Sequence, residues 1–470
     1  MSAVAERSIE LPYESLMGLA KPKQHHPRLR RQNDATISVR EQVLADFGAF
    51  QQSGHWNPNP SGKLGDERDR RLYTQLLQGL ARHHRLLETV VQERLHHGIQ
   101  LKPEIAAALA LGVFELLHME RIPAHATLNE LVGVVRQQSG TAPSRLVNGV
   151  LRNLQRDLES DKPVPGEQPL AIRTSHPDWM VERWIQNYGA EQAVQICEAN
   201  NRFSGITICP GLGLSGAELQ QSLAKEGVSA APHSRVPEAL LVEQAASLWE
   251  TRAYEEGRFW VQDTSSQVIT HLLAERLEGS VLDVCAAPGG KSLGLVLNGV
   301  RLQAVCDLST RRMRRVRNNF ERCQVPCPPL LVADGTTLPL PDDSVDAVLL
   351  DVPCSATGTI RKNPDIKWTR SATELLNWRP LQSQLLHEAA RVVRPRGVIA
   401  YATCSLEPEE NVRQVQTFLE EMPKFVLEPW SVSKPLPSAW GCWETREGAW
   451  QMLPDDTTMG FYAAFLRCAT

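Results

Sequence analysis

From Ile37 to about Gln155 the apolar residues recur at helical spacing throughout. Val39, Val43, Leu44 and Phe47 form one stripe, and Leu72, Leu76, Leu77 and Leu80 form another, as expected where one face of each helix is buried. The segment PEIAAALALGVFELLH, Pro103 to His118, opens with proline at a helix start and is apolar on most sides. That pattern predicts a buried central helix. Thr127 and Glu130 have the spacing of a capping box ahead of a further amphipathic stretch. An all-α bundle is therefore expected over residues 36–160. A charged, proline-containing stretch, Asp161 to Gln168, reads as a linker, and residues 170–255 read as a small α+β segment.

From Phe259 onward, short apolar strands alternate with helical segments. The expected strands are Val281–Cys285, Gln303–Leu308, Leu330–Asp334, Ala347–Asp351 and Val398–Thr403. This alternation predicts a βαβ layout and a parallel sheet, an α/β Rossmann-like domain over 256–470. Residues 1–35 lack periodicity and are expected to be a disordered basic arm. No internal repeat is present. At 470 residues the chain is too long for one core, in keeping with this division.

Composition narrows the class. No run of eighteen apolar residues occurs; the longest, Ile105 to Leu117, is broken by Gly112 and Glu115. The N-terminus lacks a signal layout, because Glu6, Glu10 and Glu14 fall where apolar residues would be needed. A cytoplasmic, monomeric protein without a membrane span is expected. Ten cysteines are scattered along a chain large enough to fold without disulfides. Cys323 and Cys327 lack a second pair or nearby histidines, so no metal site is expected, and both are read as buried small hydrophobes. The net charge of −4 gives no global attraction to nucleic acid. Local patches remain: Lys21 to Arg31, and the five arginines between Arg311 and Arg317. The second is either a phosphate contact or a solvated helix face.

The stretch VLDVCAAPGGKS, residues 281–292, runs from a strand through a Pro-Gly-Gly turn into a helix. Cys285, Ala286, Ala287, Pro288, Gly289 and Gly290 are small enough for backbone amides to approach a ligand, and Lys291 follows them. A phosphate-binding P-loop would need glycine where Cys285 stands, and the Gly-x-Gly-x-x-Gly of a dinucleotide site is missing. A nucleoside without phosphates remains, as in S-adenosyl-L-methionine. Asp307 lies 22 positions after Cys285 (307 − 285), where an acid can hold ribose hydroxyls. Asp334 is placed for an adenine amino group, and Asp351 closes the fourth strand. Singly each acid reads as a cap or turn residue; in series with the glycine turn they read as a site.

The fourth strand runs into Asp351-Val352-Pro353-Cys354 and the fifth into Thr403-Cys404-Ser405. Two thiols then share one sheet edge. Carbon 5 of cytosine is a poor nucleophile until a thiolate adds to carbon 6, and release needs a base. One cysteine can attack while the other assists elimination. Asp351 can hold the exocyclic amine and N3, and Lys291 can orient cofactor or substrate. Spacing does not distinguish the attacking thiol.

These stretches resemble the bacterial 16S rRNA cytosine-5 methyltransferases of the Fmu/Sun type. The likeness rests on FWVQD (259–263), CAAPGGK (285–291), DVPCSATG (351–358), NPDIKW (363–368), YATCSLEPEEN (401–411) and GFYAAFL (460–466), the last expected to be a strand. ERIPAHATLNELV and RLVNGVLR in the helical region are similar to the NusB-like RNA-binding domain attached to these enzymes. The resemblance implies Cys404 as nucleophile, Cys354 in product release, and Cys285 through Lys291, Asp307, Asp334 and Asp351 around S-adenosyl-L-methionine, with 16S rRNA as substrate. Two departures stand out. ITICP at 206–210 replaces a frequent Leu-Arg-Val-Asn, and Asn363 a frequent histidine. Two other functions share parts of the pattern: cytosine-5 methylation of tRNA or another rRNA site, and a NusB-like RNA-binding factor without activity.

Overall fold

The computed structural model describes residues 38–469 except 62–63, 96–97, 204, 244–245, 430–442 and 446. The expected basic arm, the Lys21 to Arg31 patch and Cys442 lie outside the described residues. The chain divides into two compact units, one reaching Asn201 and including Asn363–Thr369, the other comprising Arg202–Lys362 and Arg370–Thr470.

The first unit is helical, with helices Val39–Ser53, Glu67–Gln92, Pro103–His118, Ala124–Ser139 and Thr141–Glu159 ahead of three shorter ones ending at Asn201. Pro103 sits in the first turn of its helix, and Ile105, Ala108, Leu109, Leu111 and Val113 are buried. Gly112 is there for contact rather than as a break, since a Cβ would lie 2.6 Å from Leu151 Cδ1. Glu115, the one charge of this helix's buried stretch, receives Arg40 Nε at 2.8 Å and Nη2 at 2.7 Å. The forked guanidinium satisfies both carboxylate oxygens, which is what a buried charge requires.

The expected capping box at Thr127 and Glu130 is not formed. The helix starts earlier, at Ala124 after Pro123, and Thr127 is interior to it. Its hydroxyl bonds Glu115 Oε2 at 2.6 Å, and Glu130 pairs with Arg40. A buried carboxylate three turns away in sequence claims the hydroxyl that a local cap would have used. Of the NPDIKW stretch, Lys367 is fully buried, and its ammonium donates to the carbonyls of Arg82 (2.9 Å) and Ser175 (3.1 Å) and to Asn201 Oδ1 (2.7 Å).

The second unit holds two sheets. The smaller consists of β1 (Ile206–Pro210), β2 (Ala231–Pro232), β3 (Leu240–Val242) and β4 (Phe259–Val261), ordered β2-β3-β1-β4 and antiparallel. The ITICP departure is thus an internal strand of this sheet.

The larger comprises β5 (Val281–Val284), β6 (Leu302–Asp307), β7 (Leu330–Val332), β8 (Val345–Asp351), β9 (Val393–Thr403), β10 (Phe425–Leu427), β11 (Trp443–Glu444), β12 (Trp450–Met452) and β13 (Phe461–Cys468). Its order is β11-β12-β13-β9-β8-β5-β6-β7, with β10 also paired to β13. Strands β5 to β9 pair in parallel, whereas β13 runs antiparallel to β9. The expected parallel strands and the expected last strand are all present, with ends shifted by a few residues.

Strand alternation builds a core on each face. Val281, Ala347, Leu349, Val398, Ala400 and Ala402 pack with helices Thr264–Ala274, Gly290–Leu297 and Thr310–Arg322. Leu282, Val284, Val348, Leu350, Ile399 and Tyr401 pack with Trp378–Val392 and Val412–Glu421. Burial on both faces explains why the strands read as near-continuous apolar runs. No helix among the described residues is long and apolar enough to cross a membrane. Of the pair read as buried, Cys323 is buried but Cys327 is exposed, because it follows the end of helix Thr310–Arg322 in the connection to β7.

Candidate active site

Parallel strands end at the same rim, and that rim collects the chemistry. Cys285 follows β5, Asp307 ends β6, Asp351 ends β8 and Cys404 follows β9. Because β9 pairs antiparallel with β13, with Thr403 opposite Tyr462, Phe461 arrives at this rim too.

The turn after β5 is held from several sides. Cys285 takes a left-handed φ of 63° and Gly289 one of 94°. A Cβ on Gly289 would meet Val316 Cγ1 at 3.0 Å, whereas one on Gly290 would have no neighbour nearer than 3.8 Å. So Gly289 serves the turn itself, and Gly290 leaves the helix start open. Asp307 accepts the Ala287 amide at 3.2 Å and pairs with Arg312. Arg312 also donates to the Ala287 carbonyl at 2.8 Å, and Asn319 to that of Pro288 at 3.0 Å. One arginine of the 311–317 patch is therefore committed to shaping the turn. Arg311, Arg314 and Arg317 stay exposed. Burial raises the Cys285 thiol above its ordinary range, with Asp307 and Asp351 adding to the effect.

Asp334 lies two residues beyond β7 rather than closing it. Its carboxyl is exposed and caps its own loop, accepting the Thr336 amide at 2.9 Å and hydroxyl at 2.7 Å. A short Asx-type turn, not the strand, positions it. The neighbouring Gly335 approaches Cys285: a Cβ there would sit 3.9 Å from its sulfur. The β7 loop and the β5 turn thus adjoin.

Two residues 60 positions apart meet as an ion pair, Lys291 Nζ to Asp351 Oδ2 at 2.6 Å. The ammonium stands 5.0 Å from the centre of the Phe461 ring. Burial works against its charge, yet Asp351 first and then the Cys404 sulfur lift the Lys291 pKa above its usual value. Cys354 Sγ and Cys404 Sγ lie 3.3 Å apart. The hydrogen bond with Cys404, then burial, push the Cys354 thiol far up, so it keeps its proton. Cys354 is buried, while Cys404 is half-buried and faces the lysine's field.

Sequence reasoning missed two acids. Asp283 interrupts the apolar VLDV and is fully buried; Ser292 donates to its Oδ2 at 2.5 Å, while its Oδ1 has no partner. Burial raises this carboxyl to about 7. The signal available was an acid inside an apolar strand. Ser292, the P-loop-like serine, is used inside the protein instead. The second acid, Glu410, lies in the quoted EPEEN stretch and is bonded by Ser355 and Ser405.

A buried carboxylate oxygen awaiting a donor beside an open helix N-terminus fits a ligand with a positive amino group and a carboxylate. The methionyl end of S-adenosyl-L-methionine carries both. Acids on β6 and beyond β7 fit hydroxyls and an amine.

Residues 270–467 match the family model described as 16S rRNA methyltransferase RsmB/F, residues 47–156 that of the NusB family, and residues 176–248 the ferredoxin-like domain of RsmF/B-like methyltransferases. The chain is 33% identical to ribosomal RNA small subunit methyltransferase B of Vibrio cholerae serotype O1, over 85% of this chain and 89% of that protein. The crystal structure of PH0851 superposes with a TM-score of 0.71 at 24% identity, covering 93% of this chain and all (100%) of that one. A methyltransferase homologue from Pyrococcus horikoshii gives a TM-score of 0.51 at 27% identity, covering 63% of this chain and 97% of that one.

Proposed function

This chain belongs to the RsmB/F family of 16S rRNA methyltransferases and uses S-adenosyl-L-methionine, and on that premise we propose that it methylates carbon 5 of a cytosine in 16S rRNA, with Cys404 as the attacking thiol. The observation that carries this reading is the pair of thiols 3.3 Å apart beside the Lys291–Asp351 ion pair. The bound cofactor supplies an electrophilic methyl group on a sulfonium.

The division of labour follows from the surroundings of each group. Cys404 is the more accessible thiol, next to an ammonium and in contact with a neighbour that holds its proton. Those features favour Cys404 as the thiol that adds to carbon 6 and makes carbon 5 nucleophilic. Asp351, oriented by Lys291, accepts the exocyclic amine of the cytosine. Cys285 through Lys291, with Asp283, Asp307 and Asp334, line the cofactor side. After transfer a base at the rim takes the carbon 5 proton, the electron pair re-forms the C5–C6 double bond, and the bond from carbon 6 to the Cys404 sulfur breaks. Cys354 is placed to assist that step, because its thiol already shares a hydrogen bond with the departing sulfur. The NusB-like helices are assigned to rRNA binding.

Labelled methyl transfer to purified 16S rRNA and tRNA in parallel, followed by bisulfite mapping, tests the reading. Label at one 16S rRNA cytosine is expected. Incorporation into tRNA alone, or into no RNA, overturns it.

A further inference from the structure

Both cysteine loops continue into a serine, and both serines converge on one carboxylate. Ser355, next to Cys354, gives Glu410 its amide (2.8 Å, to Oε1) and its hydroxyl (2.5 Å, to Oε2). Ser405, next to Cys404, gives its hydroxyl to the same Oε2 at 2.5 Å. Gln382 completes the set, donating to Oε1 at 3.2 Å and to the Pro353 carbonyl at 2.9 Å. A carboxylate has about four acceptor positions, and each oxygen here receives two donors. Glu410 itself is immobilised. It is fully buried, and the Tyr401 hydroxyl donates to its carbonyl at 2.6 Å.

The bonds span strands that share no turn. Ser355 follows β8 and Ser405 follows β9, 50 residues apart. The β8–β9 ladder ends with Asp351 opposite Ala402, and backbone bonds then join Val352 to the Ala402 carbonyl and Gly358 to the Cys404 carbonyl. Cys354 and Ser355 lie between those two bonds, and a separation of 3.3 Å between sulfurs is sensitive to small shifts of that stretch.

We propose that Glu410 is a positioning residue that clamps the Cys354 and Cys404 loops together through Ser355 and Ser405, setting the distance between the two thiols. The proposal rests on the reading of those cysteines as the reacting pair. Glu410 is closed off from solvent and bonded to both serines, so it acts through them. Burial, partly offset by the two serines, raises its carboxyl to about 7, so the clamp carries an electrostatic cost that a core glutamine or leucine would avoid. Retaining an ionisable group there is consistent with a task other than packing.

The test measures the thiols directly as well as turnover. In the full-length protein, diamide converts the Cys354 and Cys404 thiols to a disulfide, taking up two electrons and two protons, and peptide mass spectrometry follows the rate. Glu410→Gln keeps the volume but presents a donor to a ring of donors. It is expected to slow disulfide formation and lower kcat for methyl transfer, each by roughly tenfold to a hundredfold, with KM for rRNA little changed. Glu410→Asp should restore part of both. Ser355→Ala and Ser405→Ala remove one hydroxyl each and guard against a misfolded glutamine variant; they should give smaller losses of the same two quantities. Wild-type disulfide rates in all of these variants overturn the clamp. If the wild type transfers no methyl group but the variants still slow disulfide formation, the functional reading fails and the clamp stands.

Discussion

Arg40 in the helical unit and Asp283 in the catalytic unit are both buried charges, and the fold treats them differently. Arg40 meets Glu115 through two nitrogens, with Thr127 and Glu130 completing the group. Asp283 is left with one bonded oxygen and one orphan, and its pKa is driven up to about 7. The same contrast holds for the two sulfurs pressed together at 3.3 Å. Around Arg40 buried polarity is resolved internally and fixes how helices register. At the catalytic rim it is left incomplete, and an incomplete buried polar group is a place where a ligand can supply the missing partner.

The largest expected effect lies at the rim. Cys404→Ser should lower methyl transfer by about a thousandfold or more, while Cys354→Ser should leave attack intact and trap a covalent RNA–protein adduct. A denaturing gel run with labelled rRNA separates the two outcomes. Absence of the adduct in the Cys354 variant would show that the roles are assigned wrongly.

Breaking Arg40 instead should affect stability and not chemistry. Arg40→Met strands the Glu115 carboxylate and is expected to cost about 3–5 kcal/mol of stability, read by denaturant unfolding, with kcat per folded molecule unchanged. Replacing Glu115 by Leu in the same chain should recover most of that loss. A wild-type unfolding midpoint in the single variant would contradict the account of this ion pair.

The smallest effect is a divergence with pH. Burial lowers His83 to about 2 and holds His176 well below its usual value. Depressed histidines leave the folded helical unit binding fewer protons than the unfolded chain, so its stability falls as pH drops below about 6.5. Asp283 and Glu410 are raised to about 7. These two carboxyls take up protons in the folded state, so their contribution to stability rises as pH falls from about 7 toward 4, whereas His233 and His271, lowered by burial in the same unit, work the other way. Each fully shifted group should contribute on the order of 1 kcal/mol per pH unit. Hydrogen-exchange protection, corrected for intrinsic rates, is expected to fall further in the helical unit than in the other unit between pH 7 and 5. Asp283→Asn should bring the second unit's response closer to that of the helical unit, and an unchanged difference between the units would refute the argument.

By itself the sequence determined the helical unit, the parallel strand series and the rim acids and thiols. Periods of 3.6 and short apolar runs are local signals, and burial on one or both faces writes them directly into the residue order. It also identified Cys285 through Lys291 as a turn between strand and helix. Tertiary structure alone decided which distant groups meet. Lys291 reaches Asp351, Cys354 reaches Cys404, and Glu410 gathers Ser355 and Ser405. It also diverted Thr127 from its expected cap to Glu115 and committed Arg312 to the turn after β5. Hydrogen bonds and ion pairs act over about 3 Å, and chain spacing carries no record of them until strand pairing brings residues tens of positions apart to one edge.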